Sequence, residues 1–351
     1  MREFLESLRE LEAESERMPL DQGSRIVILS DLHLGDGSGS DDFLRNQAAV
    51  QDALRFWYLP RDFLLVLNGD IEDLQKASFP RIQAAHEEFF RLLDDFASRG
   101  LLRKIVGNHD LGLLLRQDLR HPIQHALRLE WRGRTLLVYH GHQASKFFVK
   151  HNYLSHFVVR YLAHPLRLKN AEVPMTSRRR FRAERRIYRA SRRLGIVSVT
   201  GHTHRPLFES LSKYDTLRFK VEELIRTYVE APEDEKPALA DMVGVYDAEF
   251  RRLSDKDRRK RSRSLYESED VVLPCLFNSG CATGKKGFTG LEIENGSISL
   301  VYWADNRVAR PYVEQEAQEQ TVLEGTTWTR YVLKRDKLDY VTARFELLRK
   351  R

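Results

Sequence analysis

The chain has 351 residues, of which 42% are hydrophobic and 31% charged, a balance that supports a buried core and excludes overall disorder. Two cysteines, Cys275 and Cys281, are too few for a disulfide framework and read as ordinary thiols of an intracellular protein. The formal net charge of +7 is unevenly placed: between Gln143 and Gly195, 14 Lys and Arg stand against 2 acidic residues, so an anionic partner is expected, whether phosphate, nucleic acid or a lipid surface.

In chain order, the first stretch, MREFLESLRELEAESERMP, lacks the continuous apolar region of a signal peptide. Its Phe4, Leu5, Leu8 and Leu11 recur at helical spacing, which predicts a short amphipathic helix and an N-terminal helical extension over 1–24. No run of about 18 apolar residues follows anywhere, so no membrane span is expected. Five short apolar runs then read as buried strands: Arg25–Ser30, Phe63–Leu67, Arg103–Val106, Thr135–Tyr139 and Ile196–Thr200. Phe43–Tyr58 and Arg81–Arg99 carry helical spacing, with Gly100 as a stop. Strands alternating with helices predict a layered α/β core. Two stretches interrupt it: an aromatic and basic one over about 147–194, and a charged, helix-prone one over about 211–270 that contains Arg258–Arg263 (RRKRSR). Strand character returns at Val271–Phe277 and in a hairpin, Phe288–Ile293 and Ser297–Trp303, turning at Asn295-Gly296. The domain expected is 25–310 with both stretches as helical insertions, followed by a C-terminal extension over 311–351.

Each of the five runs leads into residues that ligate metals. They are Asp31-x-His33, Gly69-Asp70, Gly107-Asn108-His109-Asp110, His140-x-His142 and Gly201-His202-x-His204. In open α/β sheets, sites form outside the carboxyl ends of strands, so five such clusters converge on one rim. Any one of them alone is weak, since Gly-Asp marks many turns and Asp after a strand is often a helix cap. Together and in this order they point to a metal centre. Carboxylates mixed with imidazoles suit Mn²⁺, Fe or Zn²⁺ better than Ca²⁺. A shared carboxylate can bridge two ions about 3.5–4 Å apart, a pair that activates water at neutral pH. The glycines before Asp70, Asn108 and His202 fit places where backbone approaches closely. His142 falls on the same strand face as His140 and reads as a non-ligand neighbour. His86, His121, His125, His151, His156 and His164 match no cluster and read as surface or packing residues.

This set resembles that of the calcineurin-like metallophosphoesterase superfamily, over about Arg25–Pro206 and the closing hairpin with Asn278-Ser279-Gly280. The resemblance implies a two-sheet α/β sandwich flanked by helices. It implies two divalent ions, Mn²⁺ foremost with Fe or Zn²⁺ as alternatives. One ion would be held by Asp31, His33, Asp70 and His204, the other by Asp70, Asn108, His140 and His202, with Asp70 bridging. A metal-bridged hydroxide would attack phosphorus, His109 would protonate the leaving oxygen, and Asp110 would orient His109.

Substrate choice is expected from the first insertion. Its first half is apolar, from Phe147 to Leu162, and its second half carries Arg178-Arg179-Arg180, Arg182, Arg185-Arg186, Arg189 and Arg192-Arg193. That combination suits an amphiphile with a phosphorylated head and a peripheral contact at the inner membrane of an otherwise cytoplasmic protein. The plainer alternative is a helix with its apolar face on the core and its basic face in water. The stretch KHNYLSHFVVRYLAHPLRL is similar to the lid of UDP-2,3-diacylglucosamine pyrophosphatases of lipid A synthesis. Those enzymes typically have Arg at the position of His109 and Asp at that of His142, and the segment 211–270 is extra. The alternatives are a general phosphodiesterase or phosphatase of a small substrate, a nuclease whose basic segments follow a nucleic-acid backbone, and a non-catalytic scaffold on the same fold.

Overall fold

The computed structural model describes residues 1–145, 177–258, 273–284 and 287–349. Two mixed sheets form an α/β sandwich flanked by helices. The first has the strand order Glu16–Leu20, Leu127–Trp131, Arg134–Val138, Val197–Thr200, Leu276–Asn278, Leu207–Phe208, Leu211–Ser212. The second runs Glu319–Val322, Trp328–Lys337, Ser297–Asp305, Phe288–Glu294, Ile26–Leu29, Leu64–Asn68, Leu102–Ile105, Ile123–Gln124.

Alternation along the central strands divides the core. Ile26, Ile28, Leu64 and Val66 turn toward the other sheet and pack with Leu127, Leu129, Leu136 and Val138. Val27, Leu29, Leu65 and Leu67 turn outward onto the helical stretch around Phe43–Leu59 and the helices Phe79–Ala85 and Glu87–Ser98. Strands buried on both faces are why these runs are continuously apolar.

The terminal segments belong to this architecture. The Arg2–Glu14 helix buries Phe4, Leu8 and Leu11, and Glu16–Leu20 then pairs in parallel with Leu127–Trp131. At the other end, Trp328–Lys337 extends the hairpin by pairing with Ser297–Asp305, and the Leu338–Arg349 helix buries Leu338, Val341 and Phe345. Residues 1–24 and 311–351, read from sequence as extensions, thus add strands to both sheets.

Of the first insertion, residues 147–176 lie outside the described residues, and Ser177–Leu194 is a helix. It buries Ala183, Glu184, Ile187, Tyr188, Ala190 and Ser191, one face at helical spacing, while Arg182, Arg189 and Arg193 are exposed. The second insertion supplies the helices Lys213–Glu230 and Lys236–Arg258, which pack on each other through Leu217, Leu224 and Tyr246. The rest of the run after Arg258 lies outside the described residues. No helix among the described residues is long and apolar enough to cross a membrane.

Candidate metal centre

Three parallel strands of each sheet end at one rim: Ile26–Leu29, Leu64–Asn68 and Leu102–Ile105 from one, Arg134–Val138, Val197–Thr200 and Leu276–Asn278 from the other. The loops leaving them are laced across the sandwich. Asn68 Nδ2 donates to Tyr139 O at 3.2 Å, and His140 Nδ1 lies 2.8 Å from Asn68 O. The His202 amide donates to Asp31 Oδ2 at 2.9 Å, and the His109 amide to Asp70 Oδ1 at 2.8 Å.

Asp31, His33, Asp70, His202 and His204 all hold left-handed backbone, with φ of 55°, 54°, 54°, 66° and 54°. Non-glycine residues avoid this region at a cost of about 1–3 kcal/mol each, and such strain concentrates at functional sites. Gly69, at φ +81°, sits where a Cβ would lie 2.5 Å from His140 Nδ1. At Gly107 a Cβ would lie 2.2 Å from Asp70 Oδ1, so the chain passes too close to the carboxylate for any side chain.

Six of the seven expected ligands fall into two donor groups here. The donor atoms of Asp31, His33 and His204 lie within 4.8 Å of one another, and so do those of Asp70, His140 and His202. Asp70 Oδ2 faces both sets, 3.1 Å from His140 Nε2 and 4.0 Å from His33 Nε2. His204 Nε2 is 3.0 Å from Asp31 Oδ1 and 3.1 Å from His33 Nε2. Asn108, next to His109 in the chain, is buried too, and Asn108 Oδ1 and His202 Nε2 are buried without a hydrogen-bond partner. Buried polar atoms are rarely left so. Oxygen and imidazole donors gathered this way fit divalent cations.

The electrostatics agree. Burial works against an ionised Asp70, but the imidazoles of His140 and His109 outweigh it and hold the carboxyl well below its usual range. Asp31 is likewise brought to about 2, against its burial, chiefly by His204 and His140. Burial, reinforced by the charge of His140, drives His202 down to about 3, leaving a neutral ring with an available lone pair.

His109 has a different partner from the one sequence order pointed to. Its Nδ1 lies 2.9 Å from Asp73 Oδ1, and His33 Nδ1 is 3.7 Å from Asp73 Oδ2. Asp110 instead accepts the amides of Ile71, at 2.9 Å, and Gly107, which shapes the turn carrying Asn108. Burial together with Asp70 and Glu72 raises Asp110 to about 7. Asp73 was missed; its signal was the spacing Gly69-Asp70-x-x-Asp73. The Asn278 amide, also unassigned from sequence, donates to Gly201 O at 2.6 Å and to Thr203 Oγ1 at 3.2 Å, fixing the loop between His202 and His204.

A profile of the calcineurin-like phosphoesterase family matches residues 24–206, more than half of the chain. The chain belongs to this family. Calcineurin-like phosphoesterases are metal-dependent, and the matched region holds every expected ligand. No curated protein matches the chain.

His142 is buried next to the centre, its ring 5.5 Å from that of His140, and it joins none of the donor groups found among the described residues. Burial holds its imidazole well below the usual value. His86 pairs with Asp41 at 2.7 Å and His121 with Asp94 at 2.8 Å; both lie outside the donor groups, as does the half-buried His125. His151, His156 and His164 lie outside the described residues. Cys275 and Cys281 are both free thiols.

Proposed function

We propose that this calcineurin-like phosphoesterase hydrolyses phosphoesters at a dinuclear centre. One ion is held by Asp31, His33, Asp70 and His204, the other by Asp70, Asn108, His140 and His202. The observation carrying this reading is the pair of donor groups with Asp70 Oδ2 turned toward both. Two such ions, Mn²⁺ in the first instance, supply an activated water and neutralise the phosphoryl oxygens. The chain's own residues do the rest. His109 protonates the leaving oxygen, and Asp73 holds its ring with Nε2 on the Asp70 side, 3.9 Å from Asp70 Oδ2. Asn278 keeps the His202–His204 loop in place.

For the substrate, we propose a UDP-diacylglucosamine-like lipid pyrophosphate, cleaved at the inner face of a membrane. Supporting this are the aromatic-basic sequence of 147–176 and the exposed arginines of Ser177–Leu194. The apolar face of that helix is spent on the core, so acyl recognition is proposed from the sequence of 147–176 alone.

Metal analysis of protein reconstituted with Mn²⁺ tests the centre: close to two ions per chain are expected, and fewer than one would sink the reading. A Mn²⁺-supplemented panel tests the substrate. It contains a UDP-diacylglucosamine, an unacylated nucleotide diphospho-sugar, mono- and diester chromogens and single-stranded DNA. Preference for the acylated nucleotide is expected. Indifference to acyl chains removes the lipid, and preference for DNA makes the chain a nuclease.

A further inference from the structure

Lys76 lies three residues past Asp73, outside the motifs that carry the metal ligands. Its ammonium reaches three oxygens: Asp42 Oδ2 at 2.7 Å, the Ser40 carbonyl at 3.3 Å and Asp73 Oδ2 at 3.3 Å. The first two belong to loop 35–42, which begins two residues after the proposed ligand His33. The third belongs to the carboxylate that holds His109.

Loop 35–42 reads GDGSGSDD, and its residues 36–40 are exposed, so its own sequence does little to fix one conformation. Two contacts fix it instead. Asp41 roots one side: it accepts the Gly37 and Phe43 amides at 3.0 Å each and pairs with the buried His86 at 2.7 Å. Lys76 roots the other side, on Asp73. Asp73 is 1% exposed and stands between two imidazoles. Its Oδ1 meets His109 Nδ1 at 2.9 Å, while its Oδ2 has Lys76 Nζ at 3.3 Å and His33 Nδ1 at 3.7 Å. Without the ammonium, the pull of His33 on Oδ2 is no longer balanced, and the carboxylate turns away from His109. The contact with Asp42 is half in water and by itself contributes little, but the buried Asp73 end is far less screened.

We infer that Lys76 is a positioning residue for the leaving-group acid: it holds Asp73 in place behind His109 and fastens loop 35–42 to the same carboxylate. This inference rests on the hydrolase reading above and deepens it.

The test uses the full chain with Lys76→Met, Lys76→Arg and Asp42→Asn. Two diesters isolate proton donation, since p-nitrophenolate leaves without a proton and phenolate needs one. With Mn²⁺ bound, Lys76→Met should lower kcat for diphenyl phosphate at least about fivefold more than for bis(p-nitrophenyl) phosphate, as a disturbed histidine partner does. Lys76→Arg keeps the charge and should recover most of that difference. A merely structural lesion slows both diesters equally. Hydrogen exchange on the metal-free chain gives a readout that needs no turnover. The peptide covering 35–43 should exchange at least about threefold faster in Lys76→Met and Asp42→Asn, and close to the wild-type rate in Lys76→Arg. Equal losses for the two diesters, or unchanged exchange in Lys76→Met, overturns the role. Metal content on the same samples separates the failures. Below one Mn²⁺ per chain the hydrolase reading falls and the role with it; with two ions and equal losses, only the role of Lys76 falls.

Discussion

His109 and Asp73 meet at 2.9 Å, with the Asp73 carboxylate buried and also near Lys76 Nζ at 3.3 Å. A carboxylate so placed fixes which ring nitrogen carries the proton and which face the ring presents. His109→Ala should therefore lower kcat by about 10²–10⁴-fold, the range for a positioned acid or base, with metal content unchanged. Asp73→Asn should cost about 10- to 100-fold through the misplaced ring. Asp110→Asn should act differently, lowering the unfolding midpoint in urea because Asp110 accepts the Ile71 and Gly107 amides. A slow but fully stable Asp110→Asn would return the orienting role to Asp110. Chain adjacency favoured Asp110 in the sequence, while Asp73, three residues past Asp70, reaches His109 through the turn after the Leu64–Asn68 strand. The seven candidate ligands were legible because they fall in five short clusters, each following a strand. The left-handed backbone of Asp31, His33, Asp70, His202 and His204 was not, since side-chain type does not encode it.

At the scale of elements, the five apolar runs became strands within a residue or two, and Ile26–Leu29 and Leu64–Asn68 are buried along their whole length. Leu127–Trp131 escaped notice, since alternating burial with Arg128 and Glu130 outward makes a five-residue strand look charged. The Ser177–Leu194 helix packs its apolar face on the core with Arg182, Arg189 and Arg193 outward, while the apolar half of the insertion, 147–176, lies outside the described residues. The loop after Leu102–Ile105 carries the sharpest constraint. Gly107 packs its Cα against Asp70, and an added methyl would strike both Asp70 Oδ1 at 2.2 Å and Asp70 N at 2.3 Å. Asp70 N is backbone and Asp70 Oδ1 is held by the His109 amide, so the loop itself must shift. Gly107→Ala should destabilise the fold by about 1–3 kcal/mol, as overpacking does. It should also lower Mn²⁺ occupancy, because Asn108 and Asp70 move apart. Urea unfolding and metal analysis check the two effects together; full occupancy would mean that the loop absorbs the methyl without moving its ligands.

Across the whole molecule, both ends of the chain add strands to the sandwich, and sequence could not place them because Glu16–Leu20 pairs with a strand over a hundred residues away and Trp328–Lys337 with one a few tens of residues away. One long-range connection is polar and buried. Glu292, in the strand beside Ile26–Leu29, pairs with Arg330 of Trp328–Lys337, both 2% exposed. Tyr58 donates to Glu292 at 2.7 Å, and Trp303 Nε1 donates to Tyr58 at 2.9 Å. Burial and the charge of Glu292 push the Tyr58 phenol well above its usual value, so it remains a donor. The network thus bolts the C-terminal strands to the helical stretch ending at Tyr58, on the sheet face away from the other sheet. A buried pair of this kind is costly to break and cheap to replace. Arg330→Ala leaves Glu292 charged and unmatched, and should cost about 3–5 kcal/mol in urea unfolding. The double change Arg330→Met with Glu292→Gln removes both charges and should recover much of that loss. Neither residue touches the proposed ligands, so kcat of the folded fraction should be unchanged in both variants. Parallel loss of kcat would show that the C-terminal strands also set the metal geometry, and a double variant no more stable than Arg330→Ala would show that shape, not charge, is what the pair contributes.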